Sequence, residues 1–178
     1  LTTDGVFVCE DMKAGTPTWT NILSAAQVLS QGGFTLGSPF KMAASINIEG
    51  YLGFVYRPSL NPVTHLRYAR SFDYGDSWSY STIETAANFI TPGGMDIVPH
   101  AQSGGNLVVY VSLSELQGGS SYFGRLVRST DSGATWSWVH SHGNSFWGNG
   151  AIGAVHCPYD GNEAGNMVWW SYATQNAL

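Results

Sequence analysis

The chain has 178 residues, of which 43% are apolar, 13% aromatic and only 11% charged. This balance excludes a disordered chain, and the length is sufficient for one compact core. Seven Lys and Arg against twelve Asp and Glu give a net charge of −5 without any basic stretch, so binding of nucleic acid through phosphates is not expected. The longest uncharged segment, 14–40, is rich in Ser, Thr, Gln and Gly and predicts no transmembrane span.

In chain order, the predicted elements are short strands separated by turns. Alternating apolar and polar residues, with many β-branched and aromatic side chains, favour strands, and Gly, Asn, Asp and Pro mark the turns. A first strand at 5–9 is followed by a loop containing Gly15 and by a second strand after Trp19. The segment 22–31 fits a helix and a strand equally well, and its alanines favour a loop with a short helical turn. From residue 40 the strands come in sets of four, of which the clearest is Met95–Val98, Leu107–Leu113, Tyr122–Arg128 and Trp136–His140.

A sequence repeat accompanies these strands. Segment 71–81 aligns with segment 129–139, and each follows an alternating strand that ends in Arg-Ser. A degenerate third copy ends at Trp19 and has no Asp in the matching place. The pattern S-x-D-x-G-x-[ST]-W is formed by Ser71, Asp73, Gly75 and Trp78 in the first copy and by Ser129, Asp131, Gly133 and Trp136 in the second.

The chemistry of this pattern predicts a structural turn. The Asp can accept hydrogen bonds from N–H groups of its own turn, and the Gly can adopt a positive φ that other residues resist. The Trp then covers the end of the hairpin with a large apolar area. These eight residues are therefore predicted to be structural and not to bind a ligand.

Four strands in a repeat of this length are typical of a β-propeller blade. The pattern resembles the Asp-box, or BNR repeat, of sialidases, sortilin-like domains and xyloglucan-active glycoside hydrolases. The resemblance implies an all-β propeller of four-stranded antiparallel blades, with its box turns on the face away from the binding site. It implies no particular activity, because the repeat occurs in enzymes and non-enzymes alike.

The strands amount to about three blades. The expected division is a half-blade at 1–30, complete blades at 40–83 and 94–140, and a complementary half-blade at 150–174. Three blades do not close a ring. Either the chain is part of a longer propeller, or two copies join head to tail as a homodimer with six blades. Edge strands such as 167–172, which contains two Trp residues, would otherwise invite aggregation.

Ligand-binding residues are expected in the loops opposite the box turns, at 57–64, 84–94, 114–121 and 140–150. The segment 140–150 combines aromatic platforms with amide and imidazole groups, as recognition of a sugar ring requires. The alternative is that its aromatic residues pack against the next blade. No carboxylate or Cys lies near its two His residues in sequence, so we predict neither a metal site nor a cofactor. The candidate ligand-binding residues are His140, His142, Asn144 and Trp147.

The sequence supports catalysis less than it supports ligand binding. The sialidase family uses three arginines, a Tyr-Glu pair and an acidic Asp, but this chain has no Arg-Ile-Pro motif, and Arg70 and Arg128 are repeat equivalents that fit a scaffold. A glycosidase needs two carboxylates about 5–10 Å apart. Outside the boxes, only Asp96 on an inner strand and Glu115 in a loop are well placed.

The sequence thus predicts a non-catalytic propeller module for recognition or structural assembly, located outside the cell or on a cell or virion surface. Its expected partners are a second copy or the remainder of a longer propeller, with a glycan or a protein as ligand. The alternative is part of a glycoside hydrolase of the sialidase or xyloglucanase type. Cys9 and Cys157 lie too far apart in sequence to indicate a disulfide scaffold or a zinc knuckle.

Overall fold

The computed structural model describes residues 5–9, 15–16, 18–24, 27, 40–44, 48–58, 65–84, 89–99, 106–117, 121–143, 155–156 and 169–170. All regular elements within these ranges are β-strands, so the predicted all-β class is confirmed. A search of the same ranges finds no helix long and apolar enough to cross a membrane.

The strands form two four-stranded sheets and two strand pairs, all antiparallel. The N-terminal pair is β1 (Gly5–Val8) with β2 (Thr20–Ser24). Sheet 1 contains β3 (Phe40–Ala44), β4 (Leu52–Tyr56), β5 (His65–Ser71) and β6 (Ser79–Glu84). Sheet 2 contains β7 (Phe89–Pro99), β8 (Leu107–Gln117), β9 (Ser121–Ser129) and β10 (Ser137–Gly143). The C-terminal pair is β11 (Val155–His156) with β12 (Trp169–Trp170).

Both four-stranded sheets are meanders in which each strand pairs with the next one along the chain. Their registers correspond: Leu52 of β4 lies opposite Ser71 of β5, and Val109 of β8 lies opposite Ser129 of β9. These two serines begin the turns that lead into the last strand of each sheet. We call residues 71–78 the first acidic turn and residues 129–136 the second acidic turn.

Several residues predicted to lie in loops belong to strands. β7 begins at Phe89 and absorbs the turn-like segment between Pro92 and Met95 as a bulge. Pairing of β8 with β9 continues to Gln117 and Ser121, and β10 continues to Gly143, so the predicted loops 84–94, 114–121 and 140–150 are shorter than expected. The predicted strand Leu107–Leu113 ends too early, because Ser114 is polar like a loop residue and yet is buried in β8.

The ambiguous segment 22–31 is strand at its start. Ile22, Leu23 and Ser24 belong to β2, because Leu23 is fully buried and pairs with Val6 of β1. A turn follows, in which the Gln27 N–H donates to the Ser24 carbonyl oxygen at 3.1 Å. The rest of the segment lies outside the described residues.

Sheet 1 is covered on both faces, which defines the order of the layers. Side chains of one face, among them Val55 and Tyr68, form one core with Val109, Val111 and Val127 of sheet 2. The other face packs against the N-terminal pair, and that core consists of Val6, Leu23, Phe54, Tyr56 and Ala69. The alternation along β4 and β5 therefore stacks the N-terminal pair, sheet 1 and sheet 2 face to face.

The first strands of successive sheets meet at one edge of this stack. β3 lies beside β7, and β11 of the C-terminal pair lies beside β7 and β8. Each acidic turn, by contrast, lies between the third and fourth strands of its sheet. The stack therefore has an inner edge made of first strands and an outer edge made of the last strands, β6 and β10.

Candidate functional site

The first acidic turn is held by hydrogen bonds within itself. Ser71 Oγ donates to Asp73 Oδ1 at 2.7 Å and accepts from the Gly75 N–H at 2.8 Å. The Ser77 N–H and hydroxyl donate to the two oxygens of the same carboxylate at 2.9 and 2.5 Å. Tyr74 and Gly75 have φ values of 56° and 100°, which reverse the chain direction within the turn.

The second acidic turn has the same hydrogen bonds. Ser129 Oγ donates to Asp131 Oδ1 and accepts from the Gly133 N–H, both at 2.7 Å. The Thr135 N–H and hydroxyl donate to the Asp131 carboxylate at 2.8 and 2.6 Å. Ser132 and Gly133 again have positive φ values, 57° and 87°. In both turns, the carboxylate therefore binds donors of its own turn.

These hydrogen bonds stabilise the ionised carboxylates. The donors from Ser77 and Ser71 lower the pKa of Asp73. For Asp131, partial burial acts to raise the pKa, but the donors from Thr135, Ser129 and Ala134 together outweigh it and the pKa is lowered. Charge-assisted bonds of this kind favour the charged form of a carboxyl group.

Acid should therefore weaken the fold through these two groups. Because both folded-state pKa values lie below the ordinary value of 3.8, the carboxylates contribute stability that is complete above that pH and is lost as pH falls through the folded values. We expect Asp131→Asn to reduce the acid dependence of the melting temperature, measured by circular dichroism from neutral pH downwards. Asp76→Asn, which removes an exposed carboxylate of the first turn, is the control and should preserve it. Equal acid dependence in Asp131→Asn and the unaltered protein would contradict this.

Each acidic turn also binds the sheet or strand pair that precedes it. The indole N–H of Trp78 donates to the carbonyl oxygen of Ile22 in β2 at 2.8 Å, and Gly75 lies directly against the Ile22 side chain. In the second turn, the indole N–H of Trp136 donates to Ser81 Oγ of β6 at 3.0 Å, and that hydroxyl donates to the Gly133 carbonyl at 2.6 Å. The turns thus join neighbouring layers of the stack.

Sheet 1 holds the second turn by further contacts. Arg70 Nη1 donates to the carbonyl oxygens of Asp131 and Ser132 at 3.0 and 2.9 Å. The hydroxyl of Tyr51 donates to the Ser132 carbonyl at 2.7 Å, so the hydroxyl of Tyr68, 2.8 Å away, is the donor to Tyr51. Burial raises the pKa of Tyr51 to about 12 and the pKa of Tyr68 well above its ordinary value, so both phenols are neutral donors.

The outer edge of sheet 2 carries an exposed aromatic and cationic surface. Trp138 of β10 is 48% exposed, and the guanidinium of Arg125 lies 5.0 Å from the centre of its ring and 5.7 Å from that of Phe123. Next to it lies a groove of about 380 Å³ that residues of β6, β9, the second turn and β10 line. Thr82, Trp136 and Trp138 are among these residues. Indole faces beside hydroxyl groups suit a sugar ring.

The predicted ligand-binding residues are only partly located. His140 is exposed on β10, opposite Leu126, and His142 lies two positions further along the same strand, opposite Gly124. The structure thus places both histidine positions on the outer edge strand and not in a loop. Asn144 and Trp147 lie outside the described residues, so their place relative to the histidines stays a prediction.

The two candidate catalytic carboxylates belong to distant positions of one sheet. Asp96 of β7 pairs with Tyr110 of β8, whereas Glu115 lies five residues further along β8, opposite Ile90. At about 3.4 Å per residue, their backbone positions are roughly 17 Å apart along the sheet. Glu115 is thus in a strand and not in the predicted loop, and the register does not bring it to Asp96.

Among the described side chains, no group of three His, Cys, Asp or Glu is arranged to hold a metal ion. Cys9 is a free, partly exposed thiol, and Cys157 lies outside the described ranges.

No protein-family model, curated protein or solved structure matches this chain.

Proposed function

We propose that this chain is a non-catalytic sector of an Asp-box-type β-propeller that serves recognition or assembly at a cell or virion surface or outside the cell. The observation that carries the proposal is the repeated docking of an acidic turn on the layer before it. Trp78 binds β2 and Trp136 binds β6, in both cases through the indole N–H. A ring of radially packed blades requires a contact of this kind, which fixes each sheet against the previous one.

The arrangement of strands also supports a propeller. In a propeller, the first strands of the blades surround the central channel and the last strands form the rim. Here β3, β7 and β11 are neighbours, while β6 and β10 lie at the opposite edge. The N-terminal pair, β1 and β2, corresponds to the last two strands of a blade, and the C-terminal pair, β11 and β12, corresponds to the first two. The two pairs are therefore complementary halves of a blade. The ring is closed either by a second copy or by further blades of a longer chain.

The rim offers the best ligand surface. The groove beside Trp138 combines a stacking face with the hydroxyl groups of Thr82 and Thr135, which favours a glycan ligand. Asp73 and Asp131 are engaged by their own turns and are not available as catalytic acids. The alternative, part of a glycoside hydrolase, depends on Asp96 and Glu115, which the register keeps apart.

A combined binding and activity screen tests this proposal. We expect no hydrolysis of fluorogenic sialosides or xyloglucan oligosaccharides. We expect binding on a glycan array that is lost in Trp138→Ala, because the stacking face is removed, at an unchanged melting temperature. Phe7→Ala, which removes another exposed aromatic side chain, is the matched control and should bind normally. Glycoside cleavage that disappears in Asp96→Asn would overturn the non-catalytic proposal and favour the hydrolase.

A further inference from the structure

The groove beside Trp138, which we call the rim groove, is lined by apolar side chains and by hydroxyl groups. Ile83 and Val127 contribute buried apolar side chains, whereas Thr135 and Ser137 are exposed. Among the described residues that line the groove, none carries a charge. The rim groove therefore offers a ligand an apolar surface together with neutral polar groups.

Two hydroxyl groups of the rim groove already use their hydrogen atoms within the protein. Thr135 Oγ1 donates to the Asp131 carboxylate at 2.6 Å, and Ser137 Oγ donates to the Arg128 carbonyl oxygen at 3.3 Å. A hydroxyl group has one hydrogen and two lone pairs. In this arrangement both oxygens can therefore accept a hydrogen bond from a ligand but cannot donate one.

A third hydroxyl group has the opposite role. Thr82 Oγ1 accepts a hydrogen bond from Arg67 Nη1, so it keeps its own hydrogen for donation. A ligand that satisfies all three hydroxyl groups must donate as well as accept. The hydroxyl groups of a sugar do both, whereas an ionised carboxylate only accepts.

The charges around the rim groove disfavour a charged ligand. Asp131, which binds the Thr135 hydroxyl, is ionised at neutral pH because its hydrogen bonds lower its pKa. At the other end, the Arg125 guanidinium lies 5.0 Å from the centre of the Trp138 ring. A ligand charge of either sign would meet a like charge at one of these ends, and such a juxtaposition is costly. A neutral ligand avoids both costs.

Trp138 provides a stacking surface that is compatible with these hydroxyl groups. It lies opposite Val127, and Arg125 is two residues further from the second turn along β9. The guanidinium therefore approaches the indole from the side away from the turn, and the side nearer the turn faces the groove. A sugar ring has apolar C–H groups on its faces and hydroxyl groups around its edge, so it can use the indole and the hydroxyl groups together.

We infer that the rim groove binds neutral sugar residues and rejects acidic ones, with Trp138 stacking on the ring and Thr135 and Ser137 accepting hydrogen bonds from its hydroxyl groups. This inference rests on the proposed function, in which the ligand is a glycan, and it names the class of glycan. The described residues that line the groove all belong to sheets 1 and 2 and the second acidic turn. The site is therefore independent of how the ring of blades is closed.

The test is an array that carries oligomers of glucose, galactose and mannose beside oligomers of the corresponding uronic acids with the same linkages. We expect the protein to bind neutral oligomers and to bind their acidic counterparts at least about tenfold more weakly, because a carboxylate cannot donate to the acceptors of the groove. Calorimetric titration of the tightest neutral oligomer gives its affinity. Trp138→Ala should abolish this binding at an unchanged melting temperature.

A matched pair of variants distinguishes selection by the groove from general repulsion by an acidic protein. Ser137→Lys replaces an acceptor with a cation, so the acidic oligomers should gain about tenfold or more relative to the neutral ones. Ser79→Lys makes the same change in net charge. Ser79 is exposed and lies opposite Arg70 as Ser137 lies opposite Arg128, but it is not among the residues that line the groove. It should leave the preference for neutral oligomers unchanged.

The possible outcomes separate this inference from the proposed function. Acidic oligomers that bind as tightly as neutral ones, or a preference that Ser79→Lys and Ser137→Lys change equally, would overturn the inference and keep glycan recognition. Binding that survives Trp138→Ala would also overturn it, because the sugar would then bind elsewhere. Failure to bind any oligomer on the array would reject glycan recognition itself, and the inference with it.

Discussion

Gly133→Ala should destabilise the protein by about 3 kcal/mol or more, which is a large part of the stability of an ordinary domain. The added Cβ would lie 2.1 Å from Cε1 of Tyr68, a ring that is fully buried between the sheets. Gly133 also has a φ of +87°, which costs a residue with a side chain roughly 1–2 kcal/mol. The measurement is the free energy of unfolding in urea.

Two other glycines give graded controls for this substitution. In Gly75→Ala, the new Cβ would lie 2.8 Å from Cβ of Ile22, a smaller overlap than the 2.1 Å approach at Gly133. With a φ of +100°, its cost should be about 2 kcal/mol. Gly15→Ala meets no atom within 4 Å and should change stability by less than about 0.5 kcal/mol. Equal costs at the three positions would contradict the close approach of the second turn to Tyr68.

The sequence predicts the acidic turns well because their chemistry is local. The hydrogen bonds of Ser71 and Asp73 span at most four residues, so the spacing of the pattern is sufficient to recognise them. Strand pairing within the two meanders is also local, and the all-β class follows from it. The bounds of β7 and β8 were harder to predict, since a bulge after Pro92 and the buried Ser114 resemble loop sequence.

The contacts that join the layers were not predictable in the same way. Tyr51 bonds to a residue 81 positions away, and Arg70 to residues 61 and 62 positions away. Such contacts depend on how sheets stack, which no short pattern encodes. One signal was present, because Arg70 and Arg128 both precede the serine of a turn. Their equivalence indicated a scaffold role, but the partner carbonyls became visible only in the folded arrangement.

Tyr68→Ala should cost about 3–5 kcal/mol, the usual cost of removing a large buried aromatic side chain. The ring lies in the core between sheets 1 and 2 and makes an edge-to-face contact with Trp136, with the two centres 5.0 Å apart. Tyr68→Phe keeps the ring and loses only the hydroxyl that donates to Tyr51, so it should cost about 1 kcal/mol. Urea unfolding of both variants separates the contribution of packing from that of the hydrogen bond.

Combining the two substitutions tests how the turn and the sheet depend on each other. In a Tyr68→Ala background, the Cβ of Gly133→Ala no longer meets the ring, and only the cost of the positive φ remains. We therefore expect the double variant to be more stable than the sum of the single costs implies, by about 1–2 kcal/mol. If the costs of the two single substitutions in the free energy of unfolding simply add, the second turn does not contact the Tyr68 ring. In that case the docking of acidic turns, on which the proposed propeller depends, would lose its physical basis.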